Sequence, residues 1–179
     1  MKALVTKADV DEYKYIADSV RNSTTWDQFV KEAMLLDVKN WLGDGLMSEL
    51  ITQNETLPTT FSTANKTLLD GGTYTHSDCT YMFQGLKACI IYYAFARFTN
   101  RTPYNYTAAG LVVKESDYSN PVSDKVVQRL ETEAELTAEA LRDEIILFLN
   151  RNCADYPLWK GDCCCGIRNT IRTFKVIGE

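Results

Sequence analysis

Between Ser123 and about Asn150, the residues Val126, Val127, Leu130, Ala134, Thr137, Ala138, Leu141, Ile145, Phe148 and Leu149 recur at three- and four-residue spacing. At 3.6 residues per turn this places them in one stripe along a single helix. Ser123 or Asp124 stands where an N-cap is wanted. The acids Glu131, Glu133, Glu135, Glu139, Asp143 and Glu144 fall largely on the other side and read as a solvated face. Such a helix is about 40 Å long. That is more than a compact bundle of this size needs, so one end is expected to project. The stripe must be buried by other elements, and the best partner in the chain is also helical.

That partner is Tyr81 to Phe98, "YMFQGLKACIIYYAFARF", apolar on nearly every side except at Lys87 and Arg97. A helix apolar all round is central in a bundle or covered by a neighbour. Its surface exceeds what one small bundle readily covers, so a neighbouring subunit is expected to bury part of it. Upstream, Leu4 begins an extended stretch, followed by a short helix with Asp9 as N-cap and Glu12 as its capping-box partner. Thr24 or Thr25 caps a further helix. Its stripe is Phe29, Val30, Ala33, Met34, Leu36, Val38, Trp41 and Leu42, and Gly43 and Gly45 interrupt it. Leu46 to Ile51 makes another short helix. "NETLPTTFST" reads as a loop. "TANKTLLDGG" reads as one or two helical turns stopped at Gly71, and "TYTHSDCT" as a polar loop.

The stretch "TAAGLVVKESDYSNP", Thr107 to Pro121, interrupts the two strongest helices. Leu111-Val112-Val113 has strand composition, and a polar run then ends in Asn-Pro. A β-hairpin or arm leaving the bundle is expected at about residues 106–121. After Trp159 the composition shifts again. Four of the six cysteines fall in the last part of the chain, Cys163 to Cys165 consecutively, and "IRTFKVIG" alternates as a short strand would. The expected organisation is a mainly α helical bundle over residues 1–159, with one long helix and the β insertion, and an extended Cys-rich arm over 160–179.

With 179 residues and 45% hydrophobic residues, the chain is long enough to bury one core without staples. Its net charge of −5 argues against a nucleic-acid-binding surface as the main activity. The start "MKALVTKADVDEYKY" lacks the apolar core of a secretory leader, and no run approaches a membrane span. The expectation is a protein made in the cytoplasm, with reduced thiols. On that reading the five N-x-S/T triplets, at Asn22, Asn54, Asn65, Asn100 and Asn105, are incidental rather than glycan acceptors.

No catalytic constellation emerges. His76 is the sole histidine, and no nucleophile elbow accompanies it. Three consecutive cysteines point in different directions, whereas zinc wants spaced pairs that converge tetrahedrally. "LLDGGTY" lacks the second glycine and the Lys-Ser/Thr of a phosphate loop. The expectation is a protein that is not an enzyme, with no cofactor and no metal.

The order of "LVTKADVDEY", "WLGDGLM", "GLKACIIYYAFARF", "TAAGLVVKESDYS" and "FLNRNCADYPLW" resembles the head–tail connector (adaptor, or ring) proteins of tailed bacteriophages. Within these it is most similar to a family in crAss-like and related gut phages. The likeness runs from Leu4 to about Trp159. It implies a helical bundle with a small β element, assembled as a homo-oligomeric ring at the head–tail junction of the virion. Such rings usually have twelve subunits, sit below the portal protein, dock downstream neck and tail proteins, and extend the channel through which genomic DNA passes without sequence-specific binding. No enzymatic residue and no membrane contact are implied. On this reading the candidates for contact with neighbouring subunits or the portal are Leu111, Val112, Val113, Lys114, Tyr118, Trp159, Arg168, Arg172, Phe174 and Lys175. Other possibilities are another neck, tail-completion or head-stopper protein, or a small Cys-dependent metal-binding regulator.

Overall fold

The computed structural model describes residues 1–14, 16, 24–56, 58–101, 104–107, 110–113 and 123–161. The chain opens with Leu4 and Val5 buried in the core. Helix α1 (Lys7–Tyr13) then begins one turn earlier than its acids suggested. Thr6, not Asp9, is the N-cap. Its hydroxyl oxygen accepts from the Asp9 N–H at 3.3 Å, while the Asp9 carboxylate accepts from the Thr6 N–H at 2.7 Å. Two orphan donors of the first turn are satisfied reciprocally, with Asp in the place usually held by Glu.

Helix α2 (Thr24–Glu32) runs into a π-helical segment (Ala33–Val38) and α3 (Lys39–Leu42). Gly43, at φ 87°, ends this run. The wider π turn shifts the stripe. Ala33, Met34 and Val38 are fully buried, but Leu36, expected on the inner face, is 53% exposed. Helices α4 (Asp44–Glu55) and α5 (Thr63–Asp70) follow, the latter capped by Ser62, whose hydroxyl accepts from the Asn65 N–H.

Residues 73–80, read from sequence as a loop, instead build an antiparallel hairpin. Strands β1 (Gly72–His76) and β2 (Cys79–Phe83) pair Gly72 with Phe83 and His76 with Cys79. Tyr74, Tyr81 and Phe83 turn toward the body, and Thr73, Thr75, Thr80 and Met82 turn outward. The tip is Ser77-Asp78, both at positive φ (49° and 63°), the backbone of a mirror-image turn. Threonines on the outer face and the absence of Asn-Gly or Asp-Gly conceal the strand pattern. At the base, Gly71 and Gly85 lie back to back. A Cβ on Gly71 would stand 2.5 Å from the Gln84 backbone, and one on Gly85 would stand 2.4 Å from the Gly71 nitrogen. No side chain fits at either place.

Helix α6 therefore starts at Gly85, not Tyr81, and runs to Arg101. It is the central helix. It contacts α1, α2, the π-helical segment and α5, and it packs most extensively on the long helix α7 (Asp124–Arg151). Leu86, Cys89, Ile90, Ile91 and Ala94 are fully enclosed. Much of the helix's apolar surface is thus taken up within the chain, while Tyr92, Tyr93, Phe95 and Phe98 stay partly exposed. Helices α6 and α7 run antiparallel, with Cys89 beside Ala138 (Sγ to the carbonyl oxygen, 3.5 Å) and Asn100 beside Glu131. In α7 the fully buried residues begin at Ala134, so among the described residues it is the first turns that extend beyond the core.

Between them, β3 (Tyr104–Thr107) and β4 (Gly110–Val113) form a second antiparallel hairpin, Tyr104 opposite Val113. The strand expected at Leu111 to Val113 is present, and it pairs with residues just upstream. After α7, a 3₁₀ turn (Cys153–Asp155) folds the chain back, so that Tyr156 and Trp159 complete a core reaching from Leu4 to Trp159. The arm expected at 160–179 lies outside the described residues from position 162 on.

Phe148 holds the β1–β2 hairpin to the bundle. It stacks on Phe83 at 4.1 Å between centroids and meets Tyr74 and Tyr156 edge-on. Replacing Phe148 with Ala is expected to cost about 3–5 kcal/mol, against about 1 kcal/mol for Thr6→Ala at the cap. Urea unfolding checks this, and equal costs would show that the hairpin does not depend on Phe148. Burial pushes the Asp9 carboxyl up, but hydrogen bonds from Thr6 and Lys87 outweigh it and hold the group below its ordinary range. A depressed folded value adds stability above the unfolded value, and that stability is lost as pH falls. The stability gap between the parent chain and Asp9→Asn should therefore shrink below about pH 4. Unfolding midpoints from pH 2 to 7 test it.

Candidate functional site

Where the π-helical segment, α3, α6 and α7 meet, the surface opens into a groove of about 470 Å³. A π turn inserted in an α-helix is a frequent companion of functional sites, because the extra residue re-aims side chains. Here it presents Leu36 and Asp37 outward while Met34 and Val38 stay in the core. The Asn40 side chain donates back to the Leu36 carbonyl, which fixes that turn.

Two ion-pair systems frame the groove. Arg97, on α6, grips Asp37 with both arms of its guanidinium, Nε to Oδ2 at 2.8 Å and Nη2 to Oδ1 at 2.7 Å. The side chains of this pair are only 23% and 22% exposed. Glu32 joins them, 3.5 Å from Arg97 and 2.8 Å from Arg101. On α7, Arg142 sits 3.0 Å from Asp143 and 3.7 Å from Glu139. Glu135 makes no hydrogen bond or ion pair among the described residues, although it lines the groove. Partial burial and the negative charges of Glu131, Asp37 and Glu139 raise its carboxyl above the ordinary value. Burial pushes the Tyr93 hydroxyl to about 12, so at neutral pH it stays protonated. The Trp41 indole N–H, which also lines the groove, is buried and has no acceptor among the described residues. An unpaired buried donor costs about 1–3 kcal/mol.

Both arginines of the groove are held by carboxylates, and among the described residues that line it no nucleophile stands beside a base. Among the described residues no three His, Cys, Asp or Glu side chains are placed to share a metal ion. His76 and Cys79 face each other across the tip of β1–β2, far along the chain from the groove. Cys89 is buried against α7, and its thiol is pushed up to about 12, out of reach of neutral-pH chemistry.

The residues proposed from sequence separate into three groups. Leu111, Val112 and Val113 are in β4. Trp159 is in the core, with its indole N–H donating to Asn150 Oδ1 at 2.8 Å, so within the chain it serves packing. Lys114, Tyr118, Arg168, Arg172, Phe174 and Lys175 lie outside the described residues. The sequence marks Arg97 and Glu135 only as charges on two helix faces, and their meeting in the groove depends on how those helices pack.

A family model described as a family of unknown function, DUF6712, covers residues 38–169. No curated protein and no solved structure matches the chain.

Arg97 and Arg101 offer an internal control for the groove's frame. Arg97→Ala strands Asp37 in a half-buried site and is expected to cost about 1.5–3 kcal/mol. Arg101→Ala breaks a more exposed pair and should cost under about 1 kcal/mol. Chemical denaturation of the two variants checks the order, and equal losses would show that the Arg97–Asp37 pair is solvated like a surface bridge.

Proposed function

The chain belongs to the DUF6712 family, and from that premise we propose that it is a structural virion protein, one subunit of a ring at the head–tail junction of a tailed bacteriophage. The ring sits below the portal, extends the DNA channel and docks the next neck or tail component. The observation that carries this reading is the β3–β4 hairpin. It is inserted between the two longest helices, just after α6 ends at Arg101. Because α6 and α7 are antiparallel, this is the end of the pair opposite the β1–β2 hairpin. Each of its strands pairs with the other and has one further edge without a strand partner among the described residues.

A closed ring needs a head-to-tail contact in which two different patches of the same subunit meet. Adding a strand to an open edge is an economical way to form one, since the main chain supplies the hydrogen bonds. The long helix supports the same reading. Its outward acids, Glu133, Asp143 and Glu144 among them, are exposed. A wall of carboxylates repels phosphates, which suits a conduit through which DNA slides. The sequence resemblance to connector proteins is the third support.

Mass photometry of the purified chain, alone and with a portal, followed by negative-stain imaging, tests this. A closed species near twelve subunits is expected in one of the two samples. A chain lacking residues 104–113, bridged by a short Gly-Ser linker, should keep its far-ultraviolet circular dichroism and lose the ring. A stable monomer that ignores the portal, or rings that persist without the hairpin, would overturn the reading.

A further inference from the structure

Helix α7 carries a face that none of the described residues covers. Its buried residues, Ala134, Ala138, Ile145 and Leu149, lie on one side. On the opposite side, at three- and four-residue spacing, stand Arg129, Thr132, Leu136, Ala140, Asp143 and Leu147, all exposed. A single exposed leucine needs no partner. Here two of them, Leu136 at 61% and Leu147 at 45%, share one stripe with an alanine between. Toward its start the same stripe lines a shallow hollow of about 480 Å³, from Lys125 past Arg129 and Thr132 to Leu136. Toward its end it presents Leu147 as a knob.

The charges divide in the same way. In the first half, Lys125 and Arg129 have no hydrogen-bond or ion-pair partner among the described residues. In the second half, Asp143 is 69% exposed and holds Arg142 through Oδ1 alone, and Glu144 beside it is exposed. A stripe that is basic and hollow at one end, and acidic and knobbed at the other, complements itself when turned end for end. We infer that two copies of the chain pair through this face, α7 against α7 and antiparallel, about a twofold axis at Leu136. The spacing sets the register. Arg129 and Asp143 are each seven residues from Leu136, about 10.5 Å along the helix, so Arg129 meets the second copy's Asp143. Thr132 and Ala140, four residues to either side, meet where the helices come closest, and small residues there permit the approach. Lys125 and Leu147 are each eleven residues away, so the knob of one copy enters the far end of the other's hollow, with Glu144 near Lys125. The closest like charges, Glu133 and the second copy's Glu139, stand on the flanks, and Glu139 lies 3.7 Å from its own Arg142. One helix pair buries less than the roughly 1,200 Å² of a standard interface, so a dissociation constant on the order of 10 µM is expected. The pairing goes beyond the ring reading and does not rest on it. A subunit paired this way withholds that helix face from a channel, so the pair belongs to the chain outside a ring.

Sedimentation velocity of the full chain, from about 1 to about 100 µM, tests the pairing. A dimer that grows with concentration is expected. Arg129→Asp and Asp143→Arg each set like charges against one another twice and should weaken it about tenfold or more. The double variant exchanges the two charges and should return it to within about threefold of the parent. Leu136→Asp brings two carboxylates to the twofold axis and should leave a monomer. All three sites are exposed, so circular dichroism should be unchanged throughout. A parent chain that stays monomeric over the whole range, or a dimer that survives Leu136→Asp, would overturn the proposal. Single variants that weaken the dimer without rescue by the double variant would overturn the antiparallel register. The chain without residues 104–113 keeps α7 and should still pair, so a failed ring assay and a failed pairing assay are distinguishable.

Discussion

The antiparallel contact between α6 and α7 is the constraint on which the rest of the structure depends. Helix α6 is enclosed because α7 covers one side and α1, α2, α5 and the π-helical segment cover the others. That enclosure requires small residues where backbones approach. Ala88, Cys89, Ala94 and Ala96 are buried along α6, and Ala134 and Ala138 answer them on α7. At the far end of the pair the same packing brings Phe148 onto Phe83 and Arg151 over the Tyr81 ring at 3.8 Å. The hairpin is thereby clamped by stacking and by a cation–π contact rather than by a wider sheet, which a two-stranded ribbon needs for stability.

The groove follows from that packing as well. The π turn in the run from Thr24 to Leu42 pushes Leu36 and Asp37 out at the level where α6 presents Arg97 and α7 presents Glu135. Much of the charge there is satisfied internally, and what is left over has one sign. The Arg97–Asp37 pair gives the groove a rigid frame, because a bidentate contact fixes both side chains. Partial burial and the charges of Glu131, Asp37 and Glu139 raise the Glu135 carboxyl above its ordinary value.

Several elements were legible in the sequence because one helical face is a strong, long-range signal. The stripe from Ala134 to Leu149 is buried as its spacing implied, and the turn at Gly43 and the stop at Gly71 fall where glycine marked them. The β1–β2 hairpin was not legible. Its outer face is threonine, its turn is Ser-Asp, and its inner aromatics look like the first turn of the helix that follows. Gly71 reads as a helix stop and Gly85 falls inside the expected helix, whereas their close approach is what shapes the hairpin's base. The first cap was misplaced by one turn because Asp9 can serve as cap or as capping-box partner, and only the extended backbone at Thr6 decides between them.

The sequence by itself determined that the chain is mainly helical, which helix would be longest, and that a strand interrupts the two best helices. Those properties are written in local periodicity, which each segment carries whatever its neighbours are. Only the tertiary structure decided how much of α6 is covered within its own chain, that Trp159 belongs to the core, and that Asp37, Arg97 and Glu135 share one groove. Those facts depend on residues distant along the chain being brought together. Burial and charge compensation are properties of such encounters and not of any one stretch of chain.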